Sequence, residues 1–378
     1  MLSTVKIAGV ASLLTIFGLG TANAADPLVP PAPAPNANTI ELKISGQVNR
    51  SVLWGDNGDV DEVFYTDSDN SGTRFRFVAS GRLNDDVTAG ATIELQFESN
   101  SSTDIRFGAN GGTGGTGSGA TPVGERIGEV WLNSASMGKL SLGQGNTASN
   151  GTSETDLSGT GLAQYSLGGG GNEGLGFQNG GVLTGVLVGS AFTNLDGGSR
   201  RDRIRYDTPT FAGFRASVSA SQGGRNDVAL RYANQFAGAK IAASVGFQSA
   251  AAVSATVSDR ISGSVSVLLD NGFNVTFAAA NEDRKAAGAN DREFFYGKVG
   301  FRTNSVSMYG KTSFSIDYYE GEDINTATSG TSTSYGLGVV QNLDPIGAQM
   351  YLSVRNHEID QGNADDIFAV FTGMRIKF

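Results

Sequence analysis

Residues 367–378 read IFAVFTGMRIKF. Phe368, Val370, Thr372, Met374, Ile376 and Phe378 fall on one parity, while Arg375 and Lys377 fall on the other. Alternation with period two describes a strand with two different faces. A strand with a greasy outer face needs a solvent that accepts it. Lipid is one, and a closed barrel is the only sheet that sits in lipid without orphaned backbone groups. Taken alone, the stretch also fits an ordinary hydrophobic edge strand, so the rest of the chain has to decide.

Moving upstream, the same alternation recurs. Ile40, Leu42, Ile44, Val48, Val52 and Trp54 share one face, with Lys43, Ser45, Gln47, Asn49 and Ser51 on the other. Arg50 falls on the apolar side, where mid-bilayer lipid would cost it roughly 2–4 kcal/mol, so it marks a bulge or a protein-covered surface. Strands are expected near 40–54, 73–83, 87–98, 125–134, 138–144, 201–208, 211–221, 226–236, 239–248, 256–269, 272–282, 292–302, 305–319, 332–343, 347–357 and 367–378, about sixteen in all. The one at 125–134 alternates poorly.

The connections add direction. Those after even-numbered strands are tight and built of turn residues: Asn84-Asp85-Asp86, Ala135-Ser136-Met137, Pro209, Ala237-Gly238, Asn271-Gly272, Thr303-Asn304 and Asp344-Pro345. Those after odd-numbered strands are mostly longer, notably 55–72, 99–124, 145–200, 320–331 and 358–366. Short turns on one rim and long loops on the other are what a transmembrane antiparallel β-barrel produces. Pro122, Pro209 and Pro345 all fall in connections, so no proline interrupts a strand. A soluble β-sandwich would explain the alternation but not this rim asymmetry.

Residues 1–24 read as a cleaved signal peptide: Lys6, an apolar run from Ile7 to Gly20, and the small-x-small site Ala22-Asn23-Ala24. Residues 25–39 hold five of the eight prolines and read as a solvated periplasmic tether. The barrel then occupies 40–378. Beyond the leader no run of 18 apolar residues occurs, which excludes a helical membrane protein. The chain has no Cys, which excludes a disulfide framework and a thiolate metal site. Its formal net charge is −10, one unit more negative once Lys6 is removed. An acidic exported chain is a poor candidate for nucleic-acid binding.

At this point the chain can be likened to a family. The ending FTGMRIKF resembles the assembly signal of Gram-negative outer-membrane barrels, with Gly373, Ile376 and the terminal Phe378 in place and Phe371 departing from its polar first position. SGQVNRSVLWGD, GTRFRFVASGRLNDDVTAGATIELQFE, GERIGEVWLNSASMGKLSLGQGNTAS and RDRIRYDTPTFAGFRASVSAS, taken in order, resemble a general diffusion porin of the alphaproteobacterial type. The resemblance implies a homotrimer in the outer membrane, surrounded by lipid and lipopolysaccharide and inserted by the barrel assembly machinery through its C-terminal strand. It implies a passive, water-filled channel for ions and small hydrophilic solutes.

The connection 145–200 is far longer than ordinary loops, and such length usually means function. By resemblance it folds into the barrel as the constriction and carries Glu154 and Asp156 in the pore. The alternative is a solvated external loop. Its apolar run Val182 to Phe192 fits an extra hairpin, a short helix or a further strand. Parity points Lys43, Arg74, Arg76, Arg82, Arg203 and Arg205 inward, where porins line the wall opposite that loop with arginines. Cations facing carboxylates across a narrow gap order water and set ion preference. Otherwise these residues are polar only because the lumen is wet.

Other readings remain. Tyr165 and Tyr351 could stack on a sugar and make the channel solute-selective. A barrel enzyme would depend on His357, the one histidine, which has no serine nucleophile motif beside it. A plugged barrel could serve as a surface adhesin. No cofactor is expected, although Asp56, Asp59, Asp61, Glu62, Asp67 and Asp69 could offer oxygen ligands to calcium at spacings that miss the EF-hand pattern. Gly112, Gly114 and Gly117 match GxGxxG without the strand–helix context that gives it meaning.

Overall fold

The computed structural model describes residues 40–108, 123–250, 254, 256–286, 288–325, 330–360 and 362–378. The leader, the tether and the Gly112–Gly117 pattern lie outside the described residues.

The described chain is an antiparallel sheet closed on itself. In order it runs β1 (Glu41–Asp56), β2 (Asp61–Asp67), β3 (Arg74–Arg82), β4 (Val87–Phe97), β5 (Val123–Ser134) and β6 (Gly138–Asn146). A long connection holds β7 (Gly176–Asn179), β8 (Val182–Leu187) and the single turn α1 (Val188–Ala191). Then follow β9 (Arg200–Asp207), β10 (Phe214–Ser221), β11 (Arg225–Phe236), β12 (Ala239–Ser249), β13 (Val257–Leu269) and β14 (Phe273–Arg284). The last are β15 (Arg292–Thr303), β16 (Thr312–Glu322), β17 (Thr331–Leu343), β18 (Ala348–Ile359) and β19 (Ile367–Lys377). Neighbours in sequence pair around the wall, except that β2 and β3 both pair with β1 and that β6 pairs with β9 past the separate β7–β8 hairpin; β1 pairs with β19 to close the ring. Because β2 and β3 lie end to end along β1, the wall has about sixteen positions.

Closure is made by the final strand. Gly46 and Phe378 exchange backbone hydrogen bonds of 2.8 and 3.1 Å. The Phe378 ring packs against Phe75 at 5.4 Å. A side chain at Gly46 would meet that ring at 2.7 Å, so the seam needs a glycine there. A closed ladder leaves no edge, and that is the condition for a sheet in lipid.

The two faces differ as the alternation requires. Ile261, Val265, Phe273, Phe277, Val299, Ile316 and Leu337 are exposed on the outer face, while Ser262, Ser264, Ser266, Asn274, Thr276, Ser315 and Ser334 are buried on the other. Arg50, on the outer face, is matched by Asp67 at 2.8 Å and Ser99 at 3.1 Å, so it has protein partners.

Two expectations need correction, and two further points of the sequence reading find their explanation. Residues 55–72 are not one long loop: the chain turns at 57–60, β2 returns along β1, and the break comes at 68–73, where the sequence SDNSGT is rich in turn formers. Gln47 and Asn49 donate side-chain hydrogen bonds to Ser71 and Gly72 carbonyls across the break, replacing lost ladder bonds. The strand expected at 305–319 runs from 312 to 322, because Ser305, Ser307 and Gly310 favour a turn over 304–311. The weak alternation at 125–134 comes from a register shift between Glu94 and Leu95, which leaves Arg126 as an extra residue and flips parity beyond it. In Val182 to Phe192, the hairpin and the helical turn both occur.

Candidate functional site

Residues 147–199 are bound along the polar face by hydrogen bonds that step from strand to strand. The Ala148 amide donates to Ser219 Oγ at 2.9 Å and the Ser149 amide to Asp227 at 2.7 Å. The Thr155 and Leu157 amides donate to Ser264 and Ser266, both at 2.9 Å. Further on, Gln164 Nε2 donates to Asp317 at 2.9 Å, and Asn172 Nδ2 lies 3.2 Å from His357 Nε2. Small side chains make this approach possible: a Cβ on Gly246 would meet Ser149 and Thr152 at 2.9 Å. Apolar packing completes it, with Leu162, Leu175, Phe177, Val188 and Phe192 buried in one cluster with Tyr319, Tyr351 and Phe371. The Phe192 ring packs on Tyr319 at 5.3 Å and on His357 at 5.0 Å.

Asp156 is held at one of these steps. Its carboxylate lies 2.7 Å from Lys298 Nζ on β15 and accepts from the Ser158 amide and hydroxyl at 2.7 and 2.9 Å. Burial pushes the carboxyl up, but the ammonium and the Ser158 donors outweigh it and hold it below the usual range. Glu154 behaves otherwise. It is exposed, takes a hydrogen bond from Asn194 Nδ2 at 3.1 Å, and is raised to about 7 by partial desolvation and by the Asp196 carboxylate. The two acids therefore have different surroundings, one neutralised against the wall and one facing water.

The arginines are also divided. Arg74 and Arg76 on β3 meet around Glu94 on β4, with Arg76 Nε at 2.6 Å and Arg74 Nη1 at 3.5 Å. Arg126, displaced by the bulge, joins them with its Nε at 2.8 Å. Arg203 is buried; it pairs with Glu129 and donates to the carbonyls of Asn146 and Gly143 at 3.0 and 2.8 Å. Arg205 pairs with Asp207 at 2.7 Å and donates to the Thr147 carbonyl at 2.8 Å. These two anchor the root of the long connection, beside an open polar cavity of about 510 Å³ bounded by Glu129, Lys139, Arg205 and Arg215. Lys43, opposite Val78, and Arg82, paired with Asp85 at 3.3 Å, lie apart near the rim of short turns.

Residues missed by the sequence reading are Glu94, Arg126, Arg200, Arg375, Lys298, Asp317 and Arg355. Arg200 is within Coulombic reach of Arg126, Arg74, Glu94 and Glu154. Asp317 accepts from Tyr296 Oη at 2.9 Å and from Arg355. Charges at polar-face parity would have revealed most of them, except Arg126, which the bulge concealed.

Other candidates lose support. Tyr351 is buried with its hydroxyl on Asn49 at 2.9 Å, so it cannot stack on a solute, while Tyr165 is half-buried. His357 is inaccessible. Among the described residues, no group of three carboxylate, His or Cys side chains could hold a metal. The first-loop acids are divided among β1, β2 and the turns that follow them, and some are used locally, Asp56 by the Gly58 amide and Asp67 by Arg50 and the Ser99 amide.

Comparison with known proteins agrees with this architecture. A family model described as Gram-negative porin matches residues 11–362. No curated protein sequence matches. Among solved structures, the anion-selective porin from Comamonas acidovorans is similar at 15% identity and a TM-score of 0.58, over 90% of this chain and 100% of that one. The in-vitro folded OmpT of Vibrio cholerae in its trimer form is similar at 13% identity and 0.56, over 90% and 99%. A mutant of the Rh. blastica porin is similar at 14% identity and 0.54, over 89% and 100%. At such identities the likeness is one of fold.

Proposed function

From the chain's membership of the Gram-negative porin family, we propose that it forms a passive, water-filled channel for ions and small hydrophilic solutes across the outer membrane. In this reading residues 147–199 lie inside the barrel and narrow it, with Glu154 on the loop side of the gap and the arginines around Glu94 on the wall side. The observation that carries the reading is the pairing of an apolar outer face with a polar inner face, along which that connection is hydrogen-bonded. A lipid-facing exterior and a wet interior are the requirements of a transmembrane pore.

Residues 1–24 are then the export signal and 25–39 the periplasmic tether. The strand ending in Gly373, Ile376 and Phe378 addresses the barrel assembly machinery. The channel is a homotrimer set in lipid and lipopolysaccharide, as the trimer form of one structural relative also suggests. The resemblance of the motifs quoted above supports the alphaproteobacterial, general diffusion type. It acts by passage, not catalysis. A sugar-selective variant of the reading depends on Tyr165 alone, since Tyr351 is covered.

Proteoliposome swelling tests the reading. Vesicles carrying folded protein should admit small neutral sugars at rates falling smoothly with solute size. Swelling no faster than in empty vesicles would refute it. Saturation by one sugar would favour the selective variant.

A further inference from the structure

The outer face is not a uniform apolar band. Across β12 to β15, Val245, Gly263, Ala279 and Phe295 lie directly opposite one another in successive strand pairs. The two small residues in the middle of that row leave a trough between larger exposed neighbours, with Ile261 before it and Phe277 after it along the strands. The trough has a volume of about 500 Å³. It shares Val245 and Ile261 with an adjoining apolar hollow of about 470 Å³, bounded by Val218, Val228, Leu230 and Phe247. The two make one groove on the face that meets lipid.

The other end of the groove is acidic. Glu320 stands opposite Phe295, and Glu293 stands opposite Glu322, at the ends of β15 and β16 toward the long connections. Like charges directly opposite on neighbouring strands are destabilising. Among the described residues neither Glu293 nor Glu322 has a lysine or arginine partner, because the cations at that level, Arg260 and Arg292, are turned inward onto Glu282. Each of the three carboxylates is oriented by a neutral donor instead. Asn281 Nδ2 donates to Glu293 at 2.8 Å, Tyr318 Oη to Glu320 at 2.6 Å and Thr331 Oγ1 to Glu322 at 2.9 Å. Three carboxylates are thus held side by side above an apolar trough, and the charge that would balance them is not supplied by the strands.

We propose that this groove seats one membrane lipid whose headgroup ends in a primary ammonium, with an acyl chain along Gly263 and Ala279 and the ammonium among Glu293, Glu320 and Glu322. This rests on the reading of the barrel as a membrane-spanning channel. A primary ammonium carries three N–H donors and a positive charge, so it can bridge carboxylates that repel one another. A purely anionic headgroup would add to the repulsion. An acyl chain fills a trough that no side chain of the barrel fills and gains the dispersion contacts an empty trough forfeits.

Native mass spectrometry of the folded protein in detergent, titrated with phosphatidylethanolamine or with phosphatidylglycerol of the same chains, tests this. Wild type should retain one phosphatidylethanolamine per chain at a several-fold lower concentration than phosphatidylglycerol. Ala279→Leu, which fills the trough, should weaken retention of both lipids. Glu293→Gln/Glu320→Gln/Glu322→Gln should abolish the preference and spare phosphatidylglycerol. All three positions and Ala279 lie on the outside of the barrel, so a heat-modifiable band and single-channel conductance should be those of wild type in both variants. Equal retention of the two lipids by wild type, or a preference that survives in the triple variant, overturns the inference. So does phosphatidylglycerol retention that matches only when magnesium is added, which would assign the carboxylates to metal-bridged anionic lipids. Any of these from a conducting protein leaves the channel reading standing. Folded protein that does not enter a bilayer overturns both.

Discussion

Lys298 Nζ lies 2.7 Å from the Asp156 carboxylate, and the lysine side chain has no exposure of its own. The same ammonium donates to the Gln164 carbonyl at 2.9 Å, so one residue of β15 fixes two points of the long connection. Removing one partner of a buried pair leaves the other charge uncompensated, at a cost of about 3 kcal/mol or more. In Lys298→Met the amides of 156–164 should exchange hydrogen faster, with the barrel strands unchanged. Hydrogen-exchange mass spectrometry reads this directly, and unaltered exchange would show that the pair does not hold the segment.

Gly171 supports the opposite end of that segment. Its φ is +86°, and a Cβ there would meet the Phe371 ring at 2.5 Å. Gly171→Ala combines backbone strain with a clash and should destabilise the local packing by about 1–3 kcal/mol. The barrel should survive, since Phe371 keeps its contact with Tyr351 at 5.3 Å. Protease nicking within 166–178 should rise in this variant and not in a control at the exposed tip, such as Gly180→Ala.

Glu173 gives the segment a pH dependence. Burial, and then the Asp69 carboxylate, raise its pKa from 4.5 to about 7. Because the folded value is the higher one, the fold favours the protonated form. That contribution is complete below pH 4.5 and is lost as pH rises through 7, amounting to on the order of 3 kcal/mol at most. Protection of 166–178 against exchange should therefore fall with rising pH across that window. Glu173→Gln, which stays neutral, should flatten the profile. A profile that survives in the variant would assign the effect elsewhere.

At the seam, Gly46 and Phe378 are in backbone contact and leave no room for a side chain on Gly46. Gly46→Val should hinder closure. On semi-native gels the variant should show a larger unfolded fraction after refolding, while Phe378→Ala, which removes the ring but keeps the backbone bonds, should be milder. Equal folding yields in both would argue against a crowded seam.

The wall was legible in the sequence because a barrel strand has only one pattern to obey. From Ile40 to Phe378 the apolar parity recurs, and turn formers such as Asn271-Gly272 mark the ends. Three features resisted the pattern for physical reasons. The bulge at Arg126 changes parity without changing composition. The return of β2 uses a short alternating run, DEVFYTD, whose charges read as loop. Residues 304–311 look extended because Val306 and Met308 alternate with serines. The site was less legible than the wall. Parity put Arg74 and Arg76 on the polar face, but not the carboxylate that gathers them, since Glu94 meets Arg74, Arg76 and Arg126 only through strand pairing. The differing surroundings of Glu154 and Asp156, two residues apart, depend on Lys298, which lies 142 residues further along the chain.

The most direct test of the account is single-channel recording of the refolded protein in a planar bilayer. Stable, ohmic openings in groups of three, one for each subunit of the proposed trimer, are the expected result. Folded, heat-modifiable protein that leaves the bilayer electrically silent would contradict it.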